Sequence, residues 1–223
     1  MDQHKQSVLS SRYKKVLENL QKNGMEAVLL ASRAEVLDKL SELIPAGAVV
    51  AHGGSMTLAE CGAVDWLKAQ TELCYLDRDK LGLSLEERSE LMRQALLADV
   101  YLSSVNAITE AGELYCVDGT GNRVAALLYG PKQVVLVAGV NKIVPDLKAA
   151  EVRVKKIACP ANTVRLDRPT YCREKGECRA FLDGNPTLTS GCGKTSICND
   201  FVVMKNQRPG RITVLLVAED LGY

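Results

Sequence analysis

Four cysteines, Cys172, Cys178, Cys192 and Cys198, are spaced C-x5-C-x13-C-x5-C, and Cys159 stands shortly before them. Thiolates gathered in a stretch rich in Pro, Gly, Ser and Asn are metal ligands by type. Soft sulfur selects zinc or, where four cysteines are at hand, an iron–sulfur cluster. No histidine lies near them, so the expected centre is all-sulfur. The gaps are wider than the roughly two to four residues of zinc knuckles. Free thiols and disulfides are therefore the alternatives to a metal centre. Cys61, Cys74 and Cys116 are scattered along apolar stretches and read as small core residues.

Three glycine-bearing loops form a second group. The first is His52-Gly53-Gly54-Ser55-Met56-Thr57, the second Asp118-Gly119-Thr120-Gly121-Asn122-Arg123, and the third Gly139-Val140-Asn141-Lys142; each follows an apolar run. Glycine lets a backbone approach a ligand closely, and free amides at a helix start attract anions. Ser55 and Thr57 add hydroxyls, and Arg123 and Lys142 add positive charge. Neither G-x-G-x-x-G nor G-x-x-x-x-G-K-[ST] occurs, so no nucleotide signature is present. The bland alternative for each loop is a tight turn. Glu110, in Asn106-Ala107-Ile108-Thr109-Glu110, is placed where a carboxylate acts as base or nucleophile, or where it is a solvated turn residue. His52 is placed to bind a ligand or carry a proton, or only to end a strand.

These groups must be positioned by the elements around them. Apolar residues at helical spacing predict helices over Lys5–Asn23, from a Ser32 cap to Leu43, from a Ser84/Glu87 capping box to about Ala98, over Asn122–Leu128 and over Pro145–Ile157. Between them, short apolar runs predict strands at Ala27–Ala31, Ala48–Ala51, Leu73–Leu76, Asp99–Ser103, Leu114–Val117 and Gln133–Ala138. Such alternation predicts an α/β fold, a mostly parallel sheet with helices on both faces. Loops that follow parallel strands collect at the carboxyl edge, where ligands bind, so the three loops are expected to converge there around a small anionic metabolite. From Cys159 to Asn199 no period is sustained, which reads as a cysteine-rich insertion before the terminal strand-like runs Phe201–Met204 and Arg211–Ala218.

Composition removes other classes. The 28 Lys and Arg against 27 Asp and Glu give a charge of +1, so no basic field points to nucleic acid, and 4% aromatics leave little for base stacking. No apolar run approaches the roughly 20 residues of a membrane span, and the polar N-terminus lacks the apolar stretch of a signal peptide. The chain, residues 1–223, is read as a single cytoplasmic domain that includes the cysteine-rich segment 159–199.

The stretches GGSMTLAECG (53–62), SVNAITEAGELYCVDGTGNRVAALLYGPKQVVLVAGVNKIVPDL (104–147), ACPANTVRL (158–166) and RITVLLVAEDLGY (211–223) resemble the LUD-domain family, named for lactate utilisation. The resemblance implies a domain of the glucosamine-phosphate isomerase, ribose-phosphate isomerase and CoA-transferase type. It implies a contribution to oxidation of lactate or a related hydroxy acid, with redox partner proteins or self-association. Shorter members of the family carry a similar cysteine segment with a tighter central spacing. The stretch Asn106–Gly121 is also similar to methylthioribose-phosphate isomerase, whose catalytic aspartate falls at Asn106 here. An amide cannot take up or release that proton. Glu110 lies near where CoA-transferases of this fold place a nucleophilic glutamate. Two other functions are thus in play: a non-catalytic metabolite-binding or regulatory subunit, and a CoA-transferase- or sugar-phosphate-isomerase-like enzyme.

Overall fold

The computed structural model describes residues 2–184, 186–193 and 196–223. In chain order its strands are β1 (Glu26–Leu30), β2 (Val49–His52), β3 (Cys74–Leu76), β4 (Val100–Ser103), β5 (Ala107–Thr109), β6 (Leu114–Asp118), β7 (Gln133–Gly139), β8 (Ile143–Val144), β9 (Asp200–Met204) and β10 (Ile212–Val217). The helices are α1 (Gln3–Lys22), α2 (Glu35–Leu43), α3 (Met56–Glu60), α4 (Ala63–Ala69), α5 (Leu85–Gln94), α6 (Asn122–Leu128), α7 (Leu147–Arg153), α8 (Cys159–Arg165) and α9 (Tyr171–Lys175).

Six strands form a wholly parallel sheet in the order β1-β10-β7-β4-β2-β3. Its centre is buried on both faces, which is why β7 and β10 are continuous apolar runs rather than alternating ones. Val134, Leu136 and Ala138 of β7 face a layer containing Val16 and Leu20 of α1 and Leu127 of α6. Val135 and Val137 face Val36 and Leu40 of α2 and Leu67 of α4. The capping box at Ser84 is formed: its hydroxyl accepts from the Glu87 amide at 3.1 Å, and the Glu87 carboxylate accepts from the Ser84 amide at 2.8 Å.

The structure corrects the expected layout in four places. Leu114–Val117 is not in the parallel sheet; β6 pairs antiparallel with β5 and β9 in a second sheet ordered β8-β5-β6-β9. The cause is the tight return at Thr109–Glu113, where the Thr109 amide donates to the Glu113 carbonyl at 2.9 Å; a hairpin needs only such a turn, whereas a parallel pair needs a crossover. The unpatterned segment does not begin at Cys159, because α7 continues through a wide π turn at Val154–Ala158 into α8. That turn lies directly before Pro160, whose missing N–H and ring disturb the helical ladder. Ser32 does not cap α2, whose preceding residue is Ala34. Cys61 and Cys116 are buried as expected, but Cys74 is exposed on edge strand β3.

The hairpin also holds α1. Asn19 Nδ2 donates to the Glu110 carbonyl at 2.7 Å, and Asn23 Nδ2 donates to the Gly112 carbonyl at 3.0 Å. Gly112 has φ +77°, and a Cβ there would lie 2.7 Å from the Asn19 carbonyl carbon and the Leu20 amide. Gly112→Ala is expected to lower the unfolding free energy by roughly 2–4 kcal/mol, since it adds left-handed strain and forces α1 away. Urea denaturation checks this, and an unchanged midpoint would refute it.

Candidate functional site

The main sheet changes direction between β2 and β4. From β2 the chain goes outward to β3, then returns to the other side of β2 as β4. At such a switch point the loops leaving two neighbouring strands part and open a crevice. A cavity of about 540 Å³ lies there. Gly54 and Ser55 come from the loop after β2 and Thr57 from the first turn of α3, Ser104, Val105 and Asn106 from the loop after β4, and Lys142 from the turn after β7. The second sheet contributes Asp118, Gly119, Thr120, Asn122 and Arg123, so the three glycine-bearing loops do converge, one of them from a sheet of its own.

The polar groups of the wall hold one another in place. The Asp118 carboxylate accepts from the amides of Gly119, Arg123 and Val124 at 2.9, 3.0 and 3.1 Å, which fixes the start of α6. Arg123 then donates to the carbonyls of Ser104 and Val117 and to Asn106 Oδ1. Asn106 Oδ1 also accepts from the Val117 amide at 2.9 Å, so this amide is a joint between loop and sheet. Lys142 is 3% exposed; its Nζ donates to Thr57 Oγ1 at 2.8 Å, Ser104 Oγ at 2.9 Å and the Val105 carbonyl at 3.2 Å. Burial, assisted by the charges of Arg153 and Arg123, pulls its pKa down to about 7.

Residues that the sequence reading did not single out complete the wall. Arg78 comes from beyond β3, Asn162 and Arg165 from α8, Arg168 from the turn after it, and Tyr223 from the segment after β10. The described lining thus carries five basic side chains, Arg78, Arg123, Lys142, Arg165 and Arg168, against one carboxylate, Asp118. Ser104 was open to the same strand-end rule that found Thr57, because it directly follows β4. No local signal marks the arginines, which come from separate elements.

Other predicted residues lie elsewhere. His52 is buried, stacked on Tyr75 with ring centroids 5.8 Å apart, and its Nδ1 meets the Gly53 carbonyl at 3.0 Å. Burial lowers its pKa, so it stays neutral near pH 7. Gly53 extends the pairing of β2, its amide donating to the Leu102 carbonyl at 2.9 Å, and Gly121 precedes the first residue of α6. Gly139 serves a close approach of chain to chain, since a Cβ there would lie 2.5 Å from the Leu221 amide. Asn141 binds the same segment, donating from Nδ2 to the Gly222 carbonyl at 3.0 Å. The Glu110 carboxylate pairs with Arg12 at 2.7 Å and Lys15 at 3.5 Å on α1 and is not part of the cavity wall.

The cysteine segment folds beside this cavity. Cys172, Cys178, Cys192 and Cys198 surround a small chamber, together with the fifth thiol, Cys159, from the start of α8. The open space inside is about 10 Å³, roughly the room of one water, and two of its thiols touch, Cys159 Sγ and Cys198 Sγ being 3.1 Å apart. Among the described residues no three His, Cys, Asp or Glu side chains converge on the position of a single ion. All eight thiols are free. Burial pushes the Cys178 thiol up, and burial with neighbouring thiols pushes Cys192 up to about 11. Cys159 is also raised, first by its hydrogen bond to Cys198 and then by burial. Cys198 is lowered by that same bond, with help from the Lys155 ammonium. Cys159 and Cys198 belong to both walls, so the chamber and the large cavity share a partition. Asn199 ties the two, its Nδ2 donating to the Gly119 carbonyl at 2.8 Å.

Comparison with known proteins agrees with the fold. The sequence model of the LUD domain matches residues 13–217. The fold is similar to that of a DUF162 family protein from Deinococcus radiodurans, with a TM-score of 0.53 and 14% identity, covering 94% of this chain and 98% of that one. A weaker likeness, with a TM-score of 0.34 and 16% identity, links 52% of this chain with 43% of eIF2B beta from Chaetomium thermophilum. No curated protein gives a significant match. Among the described residues no helix is long and apolar enough to cross a membrane.

Proposed function

The chain belongs to the LUD-domain family, and on that premise we propose that it contributes to the oxidation of lactate or a related hydroxy acid, bound as its carboxylate in the basic cavity. The cysteine chamber, on this proposal, holds an iron–sulfur cluster. The observation that carries both halves is the shared partition: a cavity with five basic side chains and a five-thiol chamber have Cys159, Ser196 and Cys198 in common.

The donor set fits a cluster. A cluster is held by four thiolates, and the five thiols that line the chamber supply that number once the side chains part around it. Burial first, and neighbouring thiols second, raise Cys178 and Cys192, and a bound metal would take the place of their protons. Cys172, Cys178, Cys192 and Cys198 would be the ligands, with Cys159 the fifth candidate beside them. When bound, such a cluster accepts electrons one at a time and hands them on.

The chain's own residues bind and orient. Converting a hydroxy acid to its 2-oxo acid removes two electrons and two protons from the carbinol group; the electrons leave to a redox partner protein and the protons to solvent. The arginines at the rim attract the carboxylate, while Thr57 and Ser104 offer hydroxyls at the floor. Asp118 and Arg123 keep the loops in register.

Arg168 offers the least intrusive test. It is exposed, and among the described residues its guanidinium has no partner. Losing one charge-assisted contact costs roughly 1.5–3 kcal/mol, so Arg168→Ala is expected to weaken lactate or pyruvate binding about tenfold or more, with unfolding unchanged. Isothermal calorimetry on the anaerobically purified protein measures it. Absence of binding by either acid overturns the carboxylate site. The cavity exceeds a three-carbon acid several-fold, so the titration includes a sugar phosphate and an acyl-CoA. Saturable binding of either in place of the hydroxy acid would give the site to isomerase or transferase chemistry.

A further inference from the structure

Two lysines of this protein are buried to a similar degree and are treated in opposite ways. Lys155, 4% exposed, has the Glu151 carboxylate at 3.5 Å and donates to the carbonyls of Thr187 and Leu188. Lys142, 3% exposed, has no carboxylate within ion-pair distance among the described residues. Its nearest charges are unfavourable or remote: Arg123 on α6 and Arg153 on α7 repel its ammonium, while Cys116 on β6 and Glu60 on α3 favour it from a distance. Asn141, directly before it, is clamped from two sides. Arg153 Nε donates to the Asn141 carbonyl at 3.1 Å, and the Asn141 side chain holds Leu221 and Gly222. The amine therefore ends at a fixed point on the floor of the cavity, between two hydroxyls. A desolvated lysine beside other cations, facing an anion site, is the arrangement that yields an amine nucleophile.

We propose that Lys142 forms a reversible imine with a 2-oxo acid held in the basic cavity. The lone pair on Nζ attacks the ketone carbon and forms the C–N bond. The carbonyl oxygen takes one proton from nitrogen and a second from solvent through the Ser104 and Thr57 hydroxyls. It then leaves as water, and the protonated imine remains with one hydrogen on nitrogen. Neutral Nζ donates only two N–H bonds, so one of the three acceptors around it is released when it deprotonates. Ser104 is suited to that change, because its hydroxyl already lies 3.3 Å from Thr57 Oγ1 and 3.4 Å from the Val105 carbonyl and turns between partners. This proposal rests on the carboxylate reading of the cavity.

The test is reductive trapping. The full chain is incubated with pyruvate and sodium cyanoborohydride, which delivers hydride to the imine carbon and leaves a stable secondary amine. Intact mass and peptide mapping then locate the adduct, and calorimetry measures pyruvate binding without reductant. The expected result is one adduct, on Lys142, forming faster as the pH rises through neutrality and falling to background in Lys142→Arg. A folded Lys142→Arg protein that retains the same adduct, or labelling spread over exposed lysines, overturns the proposal. If Lys142→Arg does not fold, the mapped position in the wild-type chain decides instead. Pyruvate binding with no adduct at Lys142 removes the imine and leaves the carboxylate site standing. Neither binding nor adduct removes both.

Discussion

Protein purified without oxygen is expected to carry iron and acid-labile sulfide in comparable amounts, and Cys172→Ser or Cys178→Ser is expected to lose both. Each of these thiols is buried against the chamber, where no other donor on the same element stands in for it. The hydroxyl of serine is a harder and far weaker ligand for iron than a thiolate. Cys159→Ser separates two assignments of the fifth thiol: loss of the cluster makes it a ligand, and retention makes it part of the partition. Cys74→Ser is the control, because this exposed residue on β3 is remote from the chamber. Because metal binding is coupled to the order of the segment, stripping the metal with a chelator should lower the unfolding free energy by roughly 3 kcal/mol or more. Metal and sulfide analysis with a visible spectrum reads the first result, and denaturation the second. Stoichiometric zinc without sulfide would make the chamber a structural staple, and absence of any metal would dissolve the redox half of the proposed function.

The second large effect is a stability that climbs with pH. A lysine whose folded pKa is drawn down to about 7 binds fewer protons than the same lysine in the unfolded chain, where its ordinary value is 10.5. Stability therefore rises with pH across that interval, and the full penalty for burying the ammonium applies below about pH 7. Lys142→Met removes the ionisable group. The wild-type chain, measured against Lys142→Met, is expected to gain roughly 2 kcal/mol between about pH 6.5 and about pH 8.5. Taking the difference between the two proteins removes the opposite contribution of the buried cysteines, whose raised values cost stability at higher pH. Urea denaturation of both proteins at the two pH values measures it. A flat difference would show that Lys142 keeps its charge in the fold, and trapping at neutral pH would then have no free amine to draw on.

Much of the architecture was legible because its signals are local. The apolar run Gln133–Ala138, the capping box at Ser84 and the exact span Asn122–Leu128 each follow from contacts within a few residues. The glycine-bearing loops were legible for the same reason: Gly54 and Lys142 sit just past strands of the parallel sheet, which share an edge, although Asp118 reaches that edge from the second sheet. Glu110 was not, because a carboxylate beside a strand looks alike in sequence whether it faces a cavity or the Arg12 and Lys15 of a distant helix. Ser32 was a plausible cap by type, and the chain simply starts α2 later, at Glu35.

The sequence by itself determined the fold class, the helix starts that carry their own caps, and the identity of the four spaced thiols, since spacing and residue type are enough for each. Tertiary structure decided which sheet receives β6, that Cys159 joins the chamber from a helix, and that arginines from beyond β3 and from α8 arrive at one cavity. It also decided the character of Lys142. A lysine is charged or neutral according to what surrounds it, and its surroundings, Thr57, Ser104, Arg123 and Arg153, are gathered from elements far apart in the chain by the packing of two sheets.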